Sequence, residues 1–148
     1  MRKPRFHHVG VQTTDLDNSL SWYQDFFGCQ PSWSLSTFSE LTRSRLPGIS
    51  RLTELVLDDI RIHLFERVGR DAPAPGESVV RFQHVCFSVD SADELAGWHQ
   101  RWTDLFESGR YGFAYPDRAT EIVTDPDGTQ SFYALDVNGL EFEFTRIP

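Results

Sequence analysis

The 148-residue chain contains one internal repeat, in which a strand pattern is followed by a helix pattern. When His8-Val9 is laid over His84-Val85, three more identical pairs coincide, namely Asp17 with Asp93, Trp22 with Trp98, and Gln24 with Gln100. One copy alone cannot cover both faces of its own sheet, so the copies are expected to fold together. We predict one domain made of module 1 (about 5–66), a Pro- and Gly-containing linker (about 67–80) and module 2 (about 81–148).

Hydrophobic periodicity and turn residues predict the elements of each copy. In module 1 we predict a strand at 5–13, a helix at 16–27 capped by Asp15, a strand at 31–38, a loop at 41–51, and a hairpin of 53–57 and 60–66. In module 2 we predict a strand from Arg81, a helix capped by Asp90 or Ser91, a long loop or strand edge at 107–119, and strands at 120–124, 130–135 and 140–146.

The element order is thus β-α-β-β-β, twice. It predicts an α+β fold, in which two tandem modules form one curved, mostly antiparallel sheet with helices on the convex side and a concave cup inside. In the predicted hairpin, Leu57 pairs with Ile60, which sets Glu54 across from His63 and Val56 across from Arg61.

Composition excludes several functions. The net charge of −8 argues against nucleic acid and anionic membrane surfaces as partners. A hydrophobic content of 39% supports a real core, and no apolar run reaches the roughly 20 residues of a membrane span. Without a signal-peptide pattern we expect a cytoplasmic protein, in which Cys29 and Cys86 stay free.

Face parity places four metal-capable side chains opposite the apolar set of their strands: His8, His63, His84 and Glu143. Imidazole and carboxylate ligands suit Zn²⁺, Ni²⁺, Co²⁺, Mn²⁺ or Fe²⁺. The alternative is three unrelated strand histidines that form hydrogen bonds near the surface. By the same parity His7 is expected to face the core. His99 lies in the second predicted helix and is expected on its surface.

Several neighbours could serve a substrate. Arg61 shares a face with His63 and could hold a carboxylate or phosphate, or simply pair with Glu54. Five aromatic residues could form a wall of the cup or belong to the core: Trp33, Phe65, Tyr111, Tyr115 and Tyr133. Cys86 is expected to be a small pocket residue. This inventory weakly favours a flat or hydrophobic substrate.

Four stretches carry motifs of a known kind, namely His8-Val9-Gly10-Val11, Ile62-His63-Leu64, His84-Val85, and the segment from Asp136 through Gly139 to Glu143. These motifs resemble those of the vicinal oxygen chelate superfamily, which includes glyoxalase I, epimerases, extradiol dioxygenases and antibiotic-resistance proteins. The resemblance implies that the ligands are His8, His63, His84 and Glu143, with Glu143 preferred to Glu141 by its distance from Gly139. Position 63 departs from the commoner Glu or Gln.

The resemblance implies a metal-dependent isomerase, epimerase or lyase, in which the metal acts as a Lewis acid that stabilises an oxyanion or enolate. Glu143 or Glu54 would move the proton. The second hypothesis is an Fe(II) ring-cleaving dioxygenase, against which stand Val137 in place of a proline and the absence of a histidine just before Tyr133. The third is a drug-binding self-resistance protein. We expect a homodimer that binds a small molecule.

Overall fold

The computed structural model describes residues 7–69 and 84–148. The chain divides into two compact units, Met1–Pro73 and Ala74–Pro148, which contain module 1 and module 2. Most of the predicted linker lies outside the described residues, as do the predicted first residues of both opening strands, 5–6 and 81–83.

Module 1 forms a four-stranded mixed sheet and two helices. Its elements are β1 (Val9–Thr13), α1 (Leu16–Phe27), β2 (Gln30–Leu35), α2 (Glu40–Arg45), β3 (Ile49–Leu57) and β4 (Ile60–Arg67). The strand order is β1-β4-β3-β2, with β1 parallel to β4 and the other pairs antiparallel. The hairpin register is confirmed, because Leu57 pairs with Ile60 and Glu54 with His63.

Module 2 repeats the four-stranded mixed sheet and the long helix. Its elements are β5 (His84–Ser88), α3 (Ala92–Glu107), β6 (Val123–Thr124), β7 (Gln130–Leu135) and β8 (Glu141–Arg146). The strand order is β5-β8-β7-β6, and only the β5–β8 pair is parallel. The predicted α+β class and the two βαβββ modules are therefore confirmed, with one four-stranded sheet in each.

Predicted capping residues lie at both ends of α1 and at the start of α3. The Asp15 carboxylate accepts from the Asn18 N–H at 3.0 Å, and Gly28 ends α1 in the left-handed region with φ of 76°. In α3 the Ser91 hydroxyl accepts from the Glu94 N–H at 3.1 Å, so Ser91 rather than Asp90 is the cap. Helix α1 packs on β4, and α3 packs on β7 and β8.

The cores are built from the apolar faces of these helices and strands. In module 1 the buried side chains include Leu16, Trp22, Phe26, Leu55, Ile62 and Leu64. In module 2 they include Leu95, Trp102, Phe132, Phe142 and Phe144. The Trp102 Nε1–H donates to the Leu135 carbonyl at 2.9 Å, which satisfies the buried indole.

Several predicted elements differ from the structure, including the strand predicted at 53–57, which begins earlier, at Ile49. The predicted loop at 41–51 contains α2, because the Ser39 hydroxyl caps a short helix by accepting from the Thr42 N–H. The predicted strand at 31–38 ends at Leu35, and the one at 120–124 is reduced to Val123–Thr124. The predicted turns at Asp58-Asp59, 125–128 and 136–139 are confirmed, and so are the two free cysteines.

Candidate functional site

In module 1 the structure brings two predicted ligands together. The rings of His8 and His63 stack with their centroids 3.8 Å apart and their planes 9° from parallel. His63 stands on β4, which runs parallel to β1, and His8 immediately precedes β1. Burial together with the neighbouring His63 and His7 lowers the pKa of His8, which favours the neutral imidazole that binds metals.

The buried carboxylate of Glu54 contacts the His63 ring. Oε2 of Glu54 lies 2.9 Å from Nε2 of His63, and Oε1 accepts from Arg61 Nη1 at 3.3 Å. Glu54 is only 1% exposed. Its hydrogen bond with His63 lowers the pKa of Glu54, with further help from Ser32 and Arg61. The face parity prediction placed Glu54 correctly, but it gave no sign that this carboxylate would be buried.

Trp33 lies beside the His63 imidazole, whereas Arg61 pairs with Glu54, the carboxylate that also contacts His63. The Trp33 ring meets the His63 ring edge to face at 5.1 Å between centroids and stays 40% exposed. Arg61 keeps an exposed side chain while it pairs with Glu54. Phe65 lies next to Gly10, where an added Cβ would come within 3.5 Å of its ring.

The prediction that His7 faces the core is wrong. His7 is exposed, and its Nδ1 lies 3.0 Å from Nδ1 of His8. The physical reason is that β1 starts only at Val9, so strand alternation does not extend back to residues 7 and 8. Ligand atoms of His7, His8 and His63 all lie within 4.8 Å of one another.

In module 2 the other two predicted ligands meet across the parallel β5–β8 pair. Nε2 of His84 lies 3.3 Å from Oε2 of Glu143, and Nδ1 lies 3.8 Å from Oε1 of Glu141. Glu141 and Glu143 share a face of β8, and Glu143 is both the nearer and the less exposed of the two. The structure thus places the predicted ligand Glu143 beside His84, with Glu141 as a second carboxylate.

Tyr133 and Cys86 flank Glu143. Each is the register partner of Glu143, Tyr133 from β7 and Cys86 from β5. Desolvation and the Glu143 carboxylate raise the pKa of the Cys86 thiol to about 11, so it stays protonated at neutral pH. Desolvation and a hydrogen bond to Glu143 also raise the pKa of Tyr133. The Tyr133 ring meets the His84 ring at 5.7 Å.

The remaining predicted aromatic residues have local contacts in the long loop after α3. The Tyr115 ring lies against the 136–139 turn, directly over Gly139. The Tyr111 hydroxyl accepts from Arg110 Nη2 at 2.9 Å. His99, predicted to be a surface residue, is partly exposed and its Nε2 lies 3.0 Å from the Thr120 carbonyl oxygen.

The pair of His84 and Glu143 fits a divalent cation. Two ligand atoms about 2.1 Å from one ion lie about 3.0–3.4 Å apart in octahedral or tetrahedral geometry. The separation of 3.3 Å between His84 and Glu143 falls in this range. The imidazole and carboxylate donors suit Zn²⁺, Ni²⁺, Co²⁺, Mn²⁺ or Fe²⁺. Sequence reasoning missed His7, for which the only signal was its place directly before His8.

Comparisons with known proteins agree with this architecture. The model of the Glyoxalase/Bleomycin resistance protein/Dioxygenase superfamily matches residues 5–144. A search of curated protein sequences finds no significant match. A glyoxylase/bleomycin resistance protein/dioxygenase domain from Frankia sp. EAN1pec is 19% identical, with a TM-score of 0.74, over 99% of this chain and 94% of that one.

Two further solved structures have the same fold. Lactoylglutathione lyase from Agrobacterium tumefaciens is 21% identical, with a TM-score of 0.61, over 99% of this chain and 96% of that one. The fosfomycin resistance protein FosX from Listeria monocytogenes, complexed with Mn(II) and sulfate, is 14% identical, with a TM-score of 0.64. Coverage there is 99% of this chain and 95% of FosX.

No helix within residues 7–69 and 84–148 combines the length and the apolar character needed to cross a bilayer.

Proposed function

Because the chain belongs to the Glyoxalase/Bleomycin resistance protein/Dioxygenase superfamily, as its resemblance to vicinal oxygen chelate proteins predicted, we propose that it is a divalent-metal-dependent enzyme. We propose that it catalyses a non-redox isomerase, epimerase or lyase reaction on a small oxygen-bearing substrate. The observation that carries the proposal is the 3.3 Å separation of His84 and Glu143, which suits two ligands of one ion. Solved structures of the same fold include a lactoylglutathione lyase and a Mn(II) complex of FosX.

The proposed ligand set takes His8 and His63 from module 1 and His84 and Glu143 from module 2. Three neutral imidazoles and one carboxylate would leave a divalent ion with a net charge of about +1. Such an ion would supply Lewis-acid chemistry, because it would polarise a substrate oxygen and make the neighbouring carbon more acidic. Zn²⁺, Ni²⁺, Co²⁺, Mn²⁺ and Fe²⁺ all accept this donor set.

Glu143 is the first candidate for moving the proton. Its carboxylate is held between His84 and the Tyr133 hydroxyl, and it retains some exposure to solvent. When loosened from the metal, this carboxylate could take a proton from a substrate carbon while the hydrogen bond from Tyr133 keeps it in position. Tyr133 would then hold Glu143 in place and supply an aromatic face.

Glu54 is the second candidate, and the contacts of its carboxylate favour a supporting role. One oxygen lies against His63 and the other against Arg61, and the side chain is buried. A base must reach the proton that it removes. Glu54 therefore orients the His63 imidazole in this proposal, while Glu143 moves the proton.

Trp33 and Arg61 suit a substrate that is partly flat and partly anionic. Trp33 offers an exposed indole beside His63, and Arg61 offers an exposed guanidinium on the same strand as His63. Aromatic faces bind flat apolar groups, and a guanidinium binds carboxylate or phosphate oxygens with two parallel hydrogen bonds. An aromatic or hydrophobic substrate with an anionic end matches both.

The experiment is anaerobic purification followed by elemental analysis and assays with and without O₂. The proposal predicts about one divalent metal per chain and turnover of a lyase or isomerase substrate that does not need O₂. Loss of turnover when O₂ is strictly removed, together with iron and O₂ uptake on catechols, would contradict it in favour of the dioxygenase hypothesis. A metal-free protein that still binds ligands after His8→Ala would favour the drug-binding hypothesis.

A further inference from the structure

We propose that His7 is a metal ligand, and that His7, His8 and His63 form a three-imidazole site that module 1 can use by itself. The inference rests on the proposed function, because it uses two of the proposed ligands and adds a third. It goes further in giving this chain a metal-binding set that does not depend on His84 and Glu143.

The first observation is the pair of adjacent imidazoles. Nδ1 of His7 lies 3.0 Å from Nδ1 of His8. This equals the separation of about 3.0 Å expected for two neighbouring ligands at about 2.1 Å from an octahedral ion. In the structure one of these nitrogens must donate a proton to the other, so binding a cation between them would release that proton.

The second observation is that His63 completes the set. Ligand atoms of all three histidines lie within 4.8 Å of one another. His7 and His8 are exposed and stand before the first residue of β1. Their rings can therefore turn towards a common ion without disturbing the sheet or the core.

The third observation concerns the atom that His63 would use. Its Nε2 lies 2.9 Å from Oε2 of the buried Glu54. A ring N–H that donates to this carboxylate leaves the lone pair on Nδ1. Metal-bound histidines commonly donate their second ring N–H to a carboxylate in this way, which fixes the tautomer and the ring orientation. Glu54 thus prepares His63 to coordinate through Nδ1.

The donor set decides which cations are suitable. Three imidazoles select borderline ions such as Zn²⁺, Ni²⁺, Co²⁺ and Cu²⁺, whereas Mg²⁺ and Ca²⁺ require oxygen ligands. Because His8 and His63 belong both to this set and to the proposed four-ligand set, we expect one ion per chain. His7 would then raise the affinity for that ion, and it would help to hold the ion when module 2 contributes no ligand.

The test is calorimetric titration of the full chain with Zn²⁺, first unchanged and then as the double variant His84→Ala/Glu143→Ala. We expect the double variant to bind one Zn²⁺ more weakly than the unchanged chain does. Adding His7→Ala to the double variant should weaken its remaining Zn²⁺ binding by about 100-fold or more. Loss of a residue that only forms a hydrogen bond to a metal ligand usually costs less than this. His99→Ala in the same background is the matched control and should leave the binding unchanged.

The outcomes separate this inference from the proposed function. If the double variant binds no Zn²⁺ while the unchanged chain binds one, the three-imidazole site is wrong and the four-ligand proposal stands. If His7→Ala has no effect in the double variant, His7 is not a ligand. If the unchanged chain binds no divalent metal, both proposals fail.

A second readout avoids the double variant, in case it does not fold. Electron paramagnetic resonance of Cu²⁺ bound to the otherwise unchanged chain counts coordinated nitrogens through their hyperfine splitting. Replacing the exposed His7 by Ala should remove one nitrogen from the spectrum, and His99→Ala should remove none. An identical spectrum for His7→Ala and the unchanged chain would overturn the inference.

Discussion

The carboxylate of Glu54 lies 2.9 Å from Nε2 of His63, directly across the β3–β4 hairpin, and it is almost completely buried. A buried carboxylate needs partners, and Glu54 has them in His63, Arg61 and Ser32. The pair therefore joins a residue of the proposed metal site to a structural support in the same sheet. It is the best place to separate metal binding from proton transfer.

Glu54→Gln tests which of these roles the carboxylate has. We expect metal affinity to fall by about 10- to 100-fold, since the amide cannot replace the charged acceptor that orients His63. The free energy of unfolding should fall by about 1–3 kcal/mol, because His63 and Arg61 lose a charged partner. Chelator competition and urea unfolding measure the two effects, with the exposed Glu40→Gln as the control.

A general base would behave differently. If Glu54 moved the proton, the Glu54→Gln variant would still bind its metal, but its kcat would fall. An unchanged metal affinity with a large fall in kcat would therefore contradict the supporting role that we assign to Glu54.

Glu66 links β4 to the first turn of α1, away from the proposed ligands. Its carboxylate accepts from Arg51, from Ser50 and from the Leu16 N–H. The hydrogen bonds from Arg51 come first among the causes that lower the pKa of Glu66 to about 2, from an ordinary value of 4.5. A lowered pKa means that the stabilisation is complete above about pH 4.5 and disappears as the pH falls towards 2.

Glu66→Gln should therefore reduce the free energy of unfolding by about 1–3 kcal/mol at pH 7. The difference between the unchanged chain and the variant should shrink steadily between pH 4.5 and pH 2. Urea unfolding of both proteins at several pH values measures it. A difference that stays constant down to pH 2 would show that the charge of Glu66 does not contribute.

Local signals explain why so much of the fold could be predicted. Asp15 and Gly28 set both ends of α1, and the two-residue turn at Asp58-Asp59 set the hairpin register. That register in turn placed Glu54 opposite His63. These features depend on residues close in sequence or directly paired across a turn, and short-range chemistry is enough to specify them.

The features that could not be predicted depend on the exact start of an element or on tertiary contacts that bury a side chain. His7 was misplaced because strand alternation was extended past the true start of β1 at Val9. The burial of Glu54 was not predicted, because its contact with Ser32 depends on the pairing of β2 with β3, which no local pattern reports. The α2 helix is only six residues long, too short for a clear periodic signal.

Alanine substitutions at Gly139 and Gly28 distinguish two causes of lost stability, namely a left-handed backbone and a steric collision. Both have positive φ, at 86° and 76°, but only Gly139 lies beneath the Tyr115 ring. Gly28→Ala should cost about 1–2 kcal/mol for the left-handed backbone alone. Gly139→Ala should cost roughly 1–3 kcal/mol more, because the new methyl group collides with Tyr115. Thermal unfolding of both variants measures this, and equal losses would show that Tyr115 moves away freely.

The central claim is that His84 and Glu143 are metal ligands, and chelator competition with Zn²⁺ tests it most directly. The measurement compares Kd for the unchanged chain, His84→Ala, Glu143→Ala and the control His99→Ala. We predict one tightly bound ion in the unchanged chain and in His99→Ala, and affinity weaker by about 100-fold or more in each ligand variant. Equal affinity in all four proteins would contradict the account.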